Sequence, residues 1–88
     1  MKIEIKDKLI VENFDKGMII LNIHTGKYLE ANEMGSKIFT LLKKYGDTET
    51  VYLNLNKQYE INETTLRKDI EAFVQDLKKL NILKIIEN

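Results

Sequence analysis

The chain has 88 residues, of which 43% are hydrophobic and 32% charged, a composition that indicates one globular domain over residues 1–88. Lysine and arginine together number 14, as do aspartate and glutamate, so the basic excess typical of nucleic-acid binding is missing. Cysteine is absent, which excludes disulfides and thiolate chemistry. The first residues do not resemble a signal peptide, and no apolar run approaches the roughly 20 residues that cross a bilayer. We therefore expect a cytoplasmic protein with no membrane or nucleic-acid partner.

The first third of the sequence has the pattern of β-strands. Polar and apolar residues alternate over Lys2–Lys6, and the apolar run Leu9–Val11 follows a polar pair. Met18–Ile23 is a second apolar run of strand length, and Lys27–Ala31 alternates again after Gly26, a residue type that adopts positive φ at little cost. The last two runs predict a β-hairpin within an N-terminal three-stranded antiparallel sheet.

The apolar spacing then changes to that of helices. Asn32 can cap a first helix, and Gly46 can end it in a left-handed conformation. Asp47 or the threonine after it can cap a shorter second helix. Asn62 can cap a third helix, the longest, which runs to about Leu80 with apolar residues along one stripe.

Residues 82–86 form a short apolar run that predicts a last strand or an extended tail packed on the core. The order is therefore strands, three helices joined by tight turns, and this tail. Such a helix order suits a winged helix-turn-helix-like arrangement, with the sheet covering the helices on one face. We expect an α+β fold of this kind.

Residues with the chemistry of catalysis are sparse in this sequence. The single histidine, His24, lies in the predicted hairpin turn, and one imidazole without cysteines or a second histidine makes no metal site. The carboxylates are spread along helices beside lysines, as in ordinary helix salt bridges. No phosphate-binding glycine motif occurs. We expect no enzyme activity, no metal and no cofactor.

A winged-helix DNA-binding regulator is the alternative that the helix order suggests. Its recognition helix would begin at Asn62–Asp69, a stretch with two basic and two acidic residues. Helices that read a groove usually offer more cations and amides than this. The lysines at the end of the first helix complement the helix dipole and need no DNA to explain them.

A peptide partner is the other possibility. The strand Lys27–Ala31 is a candidate sheet edge, because the chain leaves it directly into a helix. Lys27 and Glu30 could guard that edge against pairing. The same edge could also accept an extended peptide as another strand, and physical chemistry alone favours the guarded edge.

The segment Gly26–Phe39 resembles the signature of the PqqD-like family, an aromatic-containing strand followed by a small apolar residue, Asn, a glycine and an apolar pair. Leu66–Leu77 is similar to the family's third helix, in which Asp, an apolar residue, Phe and Leu recur at fixed spacing. Met18–Leu21 matches its second strand, so the resemblance covers almost the whole chain. The chain departs from the family at Ala31, where leucine is usual, and at Tyr45–Asp47, where Asp-Gly often ends the first helix.

This resemblance implies a non-catalytic RiPP recognition element, a module that binds the leader of a ribosomally made precursor peptide and presents the core to a modifying enzyme. The implied partner enzyme is a radical SAM enzyme or the separate leader protease of a lasso-peptide pathway. The protein itself would be a monomer or a weak dimer.

In the family, the leader adds as a strand to the third strand of the sheet and lies against the third helix. One flank of that helix offers an apolar floor and two cations for acidic leader side chains. The other flank holds Asp69, Ala72 and Asp76, beyond a core stripe that includes Phe73. The resemblance predicts that peptide binds Lys27, Tyr28, Leu29, Glu30 and Ala31 on the strand. On the helix, the helix wheel favours the first flank, which consists of Arg67, Glu71, Val74 and Lys78.

Overall fold

The computed structural model describes residues 1–87, the last of them by its backbone alone. In this part of the chain, the elements follow in the order β1 (Lys2–Ile5), β2 (Leu9–Phe14), β3 (Gly17–Asn22), β4 (Tyr28–Ala31), α1 (Glu33–Tyr45), α2 (Thr48–Gln58), α3 (Glu63–Lys79) and β5 (Leu83–Glu87). Four strands thus precede the three helices and one strand follows them, and the predicted α+β class is confirmed.

The second, third and fourth strands form the predicted three-stranded sheet. Their order is β2-β3-β4, and both neighbouring pairs are antiparallel. The predicted hairpin is β3–β4, and Gly26 in its turn has a φ of 73°. Lys27, which the sequence pattern assigns to the last strand, lies one residue before it.

The first strand, by contrast, lies outside this sheet. β1 pairs with β5 in a separate antiparallel two-stranded sheet, in which Ile5 lies opposite Leu83 and Ile3 opposite Ile85. The apolar run near the C-terminus is therefore a strand rather than a loose tail. Ile3 and Leu83 are both buried in the core, so this second sheet also turns apolar side chains inward. The winged-helix comparison stays a prediction.

The helix ends follow from local capping chemistry. The side-chain oxygens of Asn32, Asp47 and Asn62 each accept the backbone N–H three residues further on, at 2.8 to 3.2 Å, which satisfies donors that a helix start leaves unpaired. Gly46 ends α1 with a φ of 67°, and Asn81 follows α3 with a φ of 57°. The predicted caps and ends of the helices are confirmed.

The core lies between the inner face of the three-stranded sheet and the helices. Its sheet side includes Met18, Ile20 and Ala31, and its α1 side includes Ile38 and Leu42. α3 packs against α2 and β5 as well as α1. This packing fixes the direction in which α3 turns its remaining exposed surface.

Candidate functional site

The backbone of β4 carries unpaired groups along its outer edge. The N–H of Asn22 donates to the carbonyl oxygen of Lys27 (2.9 Å), so these opposite residues are a hydrogen-bonded pair. Such pairs alternate along an antiparallel ladder, which bonds every second residue of β4 to β3, beginning with Leu29. The N–H and C=O groups of Tyr28 and Glu30 therefore point away from β3. In the described chain, β3 is the one strand that pairs with β4.

The side chains of β4 alternate between the two faces of the sheet. Leu29 is half-buried and Ala31 is 4% exposed, and both face the helices. Tyr28, 62% exposed, and Glu30 lie on the opposite face, while Lys27 is exposed beside the turn. The five strand residues predicted to bind peptide thus lie together at this edge, although Ala31 offers little side-chain surface.

α3 turns a slightly different face to the core than its sequence indicates. Leu66, Ile70, Val74 and Leu77 are buried, whereas Phe73 is only half-buried. The sequence pattern predicts the reverse for Phe73 and Val74. α2, β5 and α1 all pack against α3, so its buried face is rotated and wider than the stripe that spacing alone defines.

Phe73 lies where β4 passes into α1. A Cβ atom placed on Gly35 would be 3.2 Å from Phe73 Cε1 and 3.2 Å from the Cβ of Ala31, so the absence of a side chain at Gly35 allows this close packing. Asp69 and Asp76 lie four residues before and three residues after Phe73, on the same side of α3. We call this strip of α3, with the free backbone of β4, the β4 edge surface.

The other flank of α3 is occupied by an ion-pair network. Arg67 contacts Glu49 of α2 at 2.7 Å and Glu63 at 2.9 Å, and its guanidinium carbon lies 3.8 Å from the centre of the Tyr52 ring. The hydrogen bonds that Arg67 donates to Glu49 and, to a smaller extent, to Glu63 raise the pKa of its guanidinium further above the usual range. Arg67 is the single arginine of the sequence. It therefore ties α3 to α2, and its role in peptide binding stays a prediction.

The remaining helix residues predicted to bind peptide lie on this same flank. Val74 has no exposed surface and belongs to the core, so a bound peptide has nothing of it to touch. Glu71 and Lys78 are exposed. Glu71 lies four residues after Arg67, and Lys78 lies four residues after Val74. The structure does not bring these four side chains to the β4 edge surface, and leader binding by this flank stays a prediction.

Asn22 is a residue that the sequence analysis did not single out. It is 4% exposed, and its side-chain amide donates to the carbonyl oxygens of Leu80 (3.1 Å) and Asn81 (3.0 Å) at the end of α3. Its side-chain oxygen accepts the N–H of His24 (3.0 Å). One buried amide thus joins the sheet to α3. The only signal in the sequence is a polar residue at the end of an apolar strand.

The described residues, 1–87, offer neither a metal-binding cluster nor a membrane-spanning helix. Within them, no three His, Cys, Asp or Glu side chains are grouped so that they could hold a metal ion. None of the helices in this range is long and apolar enough to span a membrane.

Two solved structures resemble this one over nearly the whole chain. One, described as TbiB1 in complex with the TbiA(beta) leader peptide, has a TM-score of 0.84 and 24% identity, and the match covers 100% of both chains. The other, described as lasso peptide synthetase B1 complexed with the leader peptide, has a TM-score of 0.81 and 25% identity, with 96% of this chain and 99% of that chain covered.

A sequence search among curated proteins gave no match. The family model of coenzyme PQQ synthesis protein D (PqqD) matches residues 17–83, from the first residue of β3 to the first residue of β5. This range contains the hairpin, all three helices and the β4 edge surface. The chain therefore belongs to the PqqD family.

Proposed function

We propose that this protein binds the leader of a ribosomally made precursor peptide as an added strand along β4. The observation that carries the proposal is the free backbone of Tyr28 and Glu30, which offers two N–H and two C=O groups in strand geometry. Backbone hydrogen bonds of this kind give affinity for an extended peptide without strict demands on its sequence. Every second side chain of the added strand would face α3, where Phe73 offers apolar contact.

The relatives support the same function. Both solved structures that share this fold hold a leader peptide. The family match covers the strand and the helix that form the β4 edge surface. Because a free leader is flexible, ordering it offsets part of the binding energy, and we expect a reversible complex.

The charge of the β4 edge surface indicates the charge of the leader that it would bind. Asp69 and Asp76, both exposed on α3, give the helix side of the β4 edge surface an acidic rim. A leader with a basic side chain close to its apolar contact residue would complement this rim. This expectation differs from the sequence-based one, in which cations of the other flank meet an acidic leader.

Presentation of the precursor to a maturation enzyme completes the proposal. We assign the protein a non-catalytic role, with catalysis left to the partner. One solved relative is named for lasso peptide synthesis, which favours a lasso-type leader protease as that partner over a radical SAM enzyme. A cytoplasmic location is part of the proposal, because ribosomally made precursors arise there.

An amide NMR titration tests the proposal. The labelled protein is titrated with the leader half of the precursor peptide encoded beside its gene, and hydrogen exchange is followed at saturation. We expect shifts over β4 and around Phe73, together with slowed exchange at the amides of Tyr28 and Glu30, which are unpaired in the free protein.

A scrambled leader of the same composition is the matched control, since it keeps the charge and changes only the order of side chains. Shifts confined to residues outside β4 and α3, or equal shifts with both peptides, would contradict the proposal. Shifts around Arg67 and Lys78 without change at Phe73 would show that the leader uses the other flank.

A further inference from the structure

The three-stranded sheet has a second free edge, on β2. The N–H of Ile23 donates to the carbonyl oxygen of Lys8 (3.2 Å), and the register continues this hydrogen-bonded pairing at every second residue of β2. Val11 and Asn13 lie between these bonded residues of β2, so their N–H and C=O groups point away from β3. In the described chain, β3 is the one strand hydrogen-bonded to β2.

A groove runs between this edge and α1, and residues 3–7, which include most of β1, form its wall at one end. It consists of two adjoining cavities of about 530 Å³ and 420 Å³, which share Val11, Phe39, Lys43 and Lys44 in their walls. Phe39 is buried and Val11 half-buried, so the floor of the groove is apolar. We call these two cavities, with the free backbone of β2, the β2 edge groove.

The groove carries an excess of positive charge. The charged side chains in its walls are Glu4, Lys6, Asp7, Lys43 and Lys44. Glu4 is already paired with Lys84 of β5 at 3.2 Å. Neither Lys43 nor Lys44 forms an ion pair with a described residue, and Lys44 approaches only the Tyr45 ring, 5.2 Å from its ammonium group. Two full charges exceed the half charge at a helix end that lysines commonly offset.

The groove side of β2 lacks the usual protection of an edge strand. Natural sheets block their edges with proline or with charged side chains that point inward. The side chains of β2 that face the groove are uncharged, namely Leu9, Val11 and Asn13, while Glu12 lies on the opposite face. β2 is also two residues longer than β4, so it offers a longer edge.

We propose that the β2 edge groove is a second strand-addition site, which binds an extended, acidic segment of a partner protein. The free backbone of Val11 and Asn13 would pair with that segment, and alternate acidic side chains would meet Lys43 and Lys44. Six residues of β2 span about 20 Å at the usual rise of a strand, which accommodates a segment of similar length. This site is separate from the leader edge, so both peptides could be held at once.

A synthetic peptide tests the proposal on the whole chain. The probe is an acetylated and amidated heptapeptide in which glutamate alternates with valine, and its partner peptide has glutamine in place of glutamate. We expect the glutamate peptide to shift the amides of Val11 and Asn13 and to slow their exchange. The glutamine peptide should bind roughly fivefold more weakly, since each exposed ion pair contributes only a modest energy.

A pair of variants separates charge recognition from a general effect of net charge. The double substitution Lys43→Gln and Lys44→Gln should lower the affinity for the glutamate peptide roughly fivefold. Lys68→Gln with Lys79→Gln removes the same charge from exposed positions on α3 and should leave its affinity unchanged. Both variants should bind the leader normally.

Three results would overturn the proposal. These are no binding of either peptide, equal losses in both lysine variants, and shifts at β4 instead of β2. Concentration-dependent shifts at Val11 and Asn13 without peptide would instead assign the edge to a second copy of the chain. Loss of leader binding is a separate outcome, because the leader is measured at Tyr28 and Glu30.

Discussion

The two outer strands of the sheet offer the same backbone chemistry in different surroundings. Beside β4 lies an open strip of α3 with a half-buried phenylalanine and the acidic pair Asp69 and Asp76. Beside β2 lies a groove with an apolar floor and the basic pair Lys43 and Lys44. Hydrogen-bonding groups alone therefore do not decide what an edge binds. The neighbouring helix supplies the charge and the apolar contact, and it does so with opposite sign at the two edges.

Proline substitutions give the strongest test of the difference between the edges. Glu30→Pro removes an N–H that points away from β3, so the sheet itself loses no bond, and proline is tolerated at such edge positions. We expect leader affinity to fall by about tenfold, because an added strand loses one hydrogen bond and meets the proline ring. Calorimetric titration with the leader measures the loss.

Asn13→Pro is the matched change on β2, where the N–H also points away from β3. It should leave leader affinity within about twofold, a difference well below one typical hydrogen bond. Equal losses in the two variants would show that the edges are not independent. Glu30→Gln, which keeps the backbone donor, separates the role of the N–H from that of the carboxylate.

Two neighbouring residues of α3 distinguish the leader surface from the core. Val74→Ala should lower the free energy of unfolding by on the order of 2 kcal/mol, because it leaves a cavity at a fully buried site. Phe73→Ala should cost less stability and reduce leader affinity about tenfold, since a half-buried ring loses contact with the peptide. Urea unfolding and leader titration of both variants check the contrast. If a folded Val74→Ala protein lost more leader affinity than Phe73→Ala, the leader would bind the flank of α3 that holds Arg67 and Lys78.

Most of the fold could be predicted because its signals are local. Caps such as Asn32 and Asn62, and the positive φ of Gly46, depend on a few neighbouring residues. The hairpin likewise follows from a local pattern, an apolar run and an alternating run on either side of Gly26. The pairing of β1 with β5 could not be predicted, because it joins strands that are about eighty residues apart and have no distinctive pattern.

The contrast between local and non-local signals also explains which residues of the candidate site could be predicted. β4 was recognised from a contiguous stretch of sequence, but the flank of α3 depends on every element packed around that helix. α2, β5 and α1 all pack against α3, and with these non-local contacts Val74 is buried and Phe73 only half-buried. The helix wheel alone could not resolve two adjacent residues at the border of the core. Asn22 was missed for the same reason, since its partners lie at the far end of α3.

Asn22 provides a test of how the β4 edge surface is held in place. Asn22→Ala leaves the carbonyl oxygens of Leu80 and Asn81 without their buried donor, which should cost about 1 to 3 kcal/mol of stability. α3 should also move more freely against β4, so leader affinity should fall while the β2 edge keeps its affinity for the acidic peptide. Urea unfolding and titration with both peptides check this. Equal weakening of the two peptides would mean that Asn22 supports the whole sheet and not one edge.

Salt dependence gives the smallest and most specific distinction between the edges. The double substitution Asp69→Asn and Asp76→Asn should lower the affinity for a basic leader about two- to fivefold at low ionic strength, as expected for exposed ion pairs. The same change should flatten the decrease in leader affinity with added salt, because screening acts on the charges that were removed. Glu71→Gln with Lys78→Gln, on the opposite flank, should change neither quantity. A leader whose affinity responds to this control pair and not to the aspartates would be bound by the other flank. The two edges would then differ in shape but not in charge.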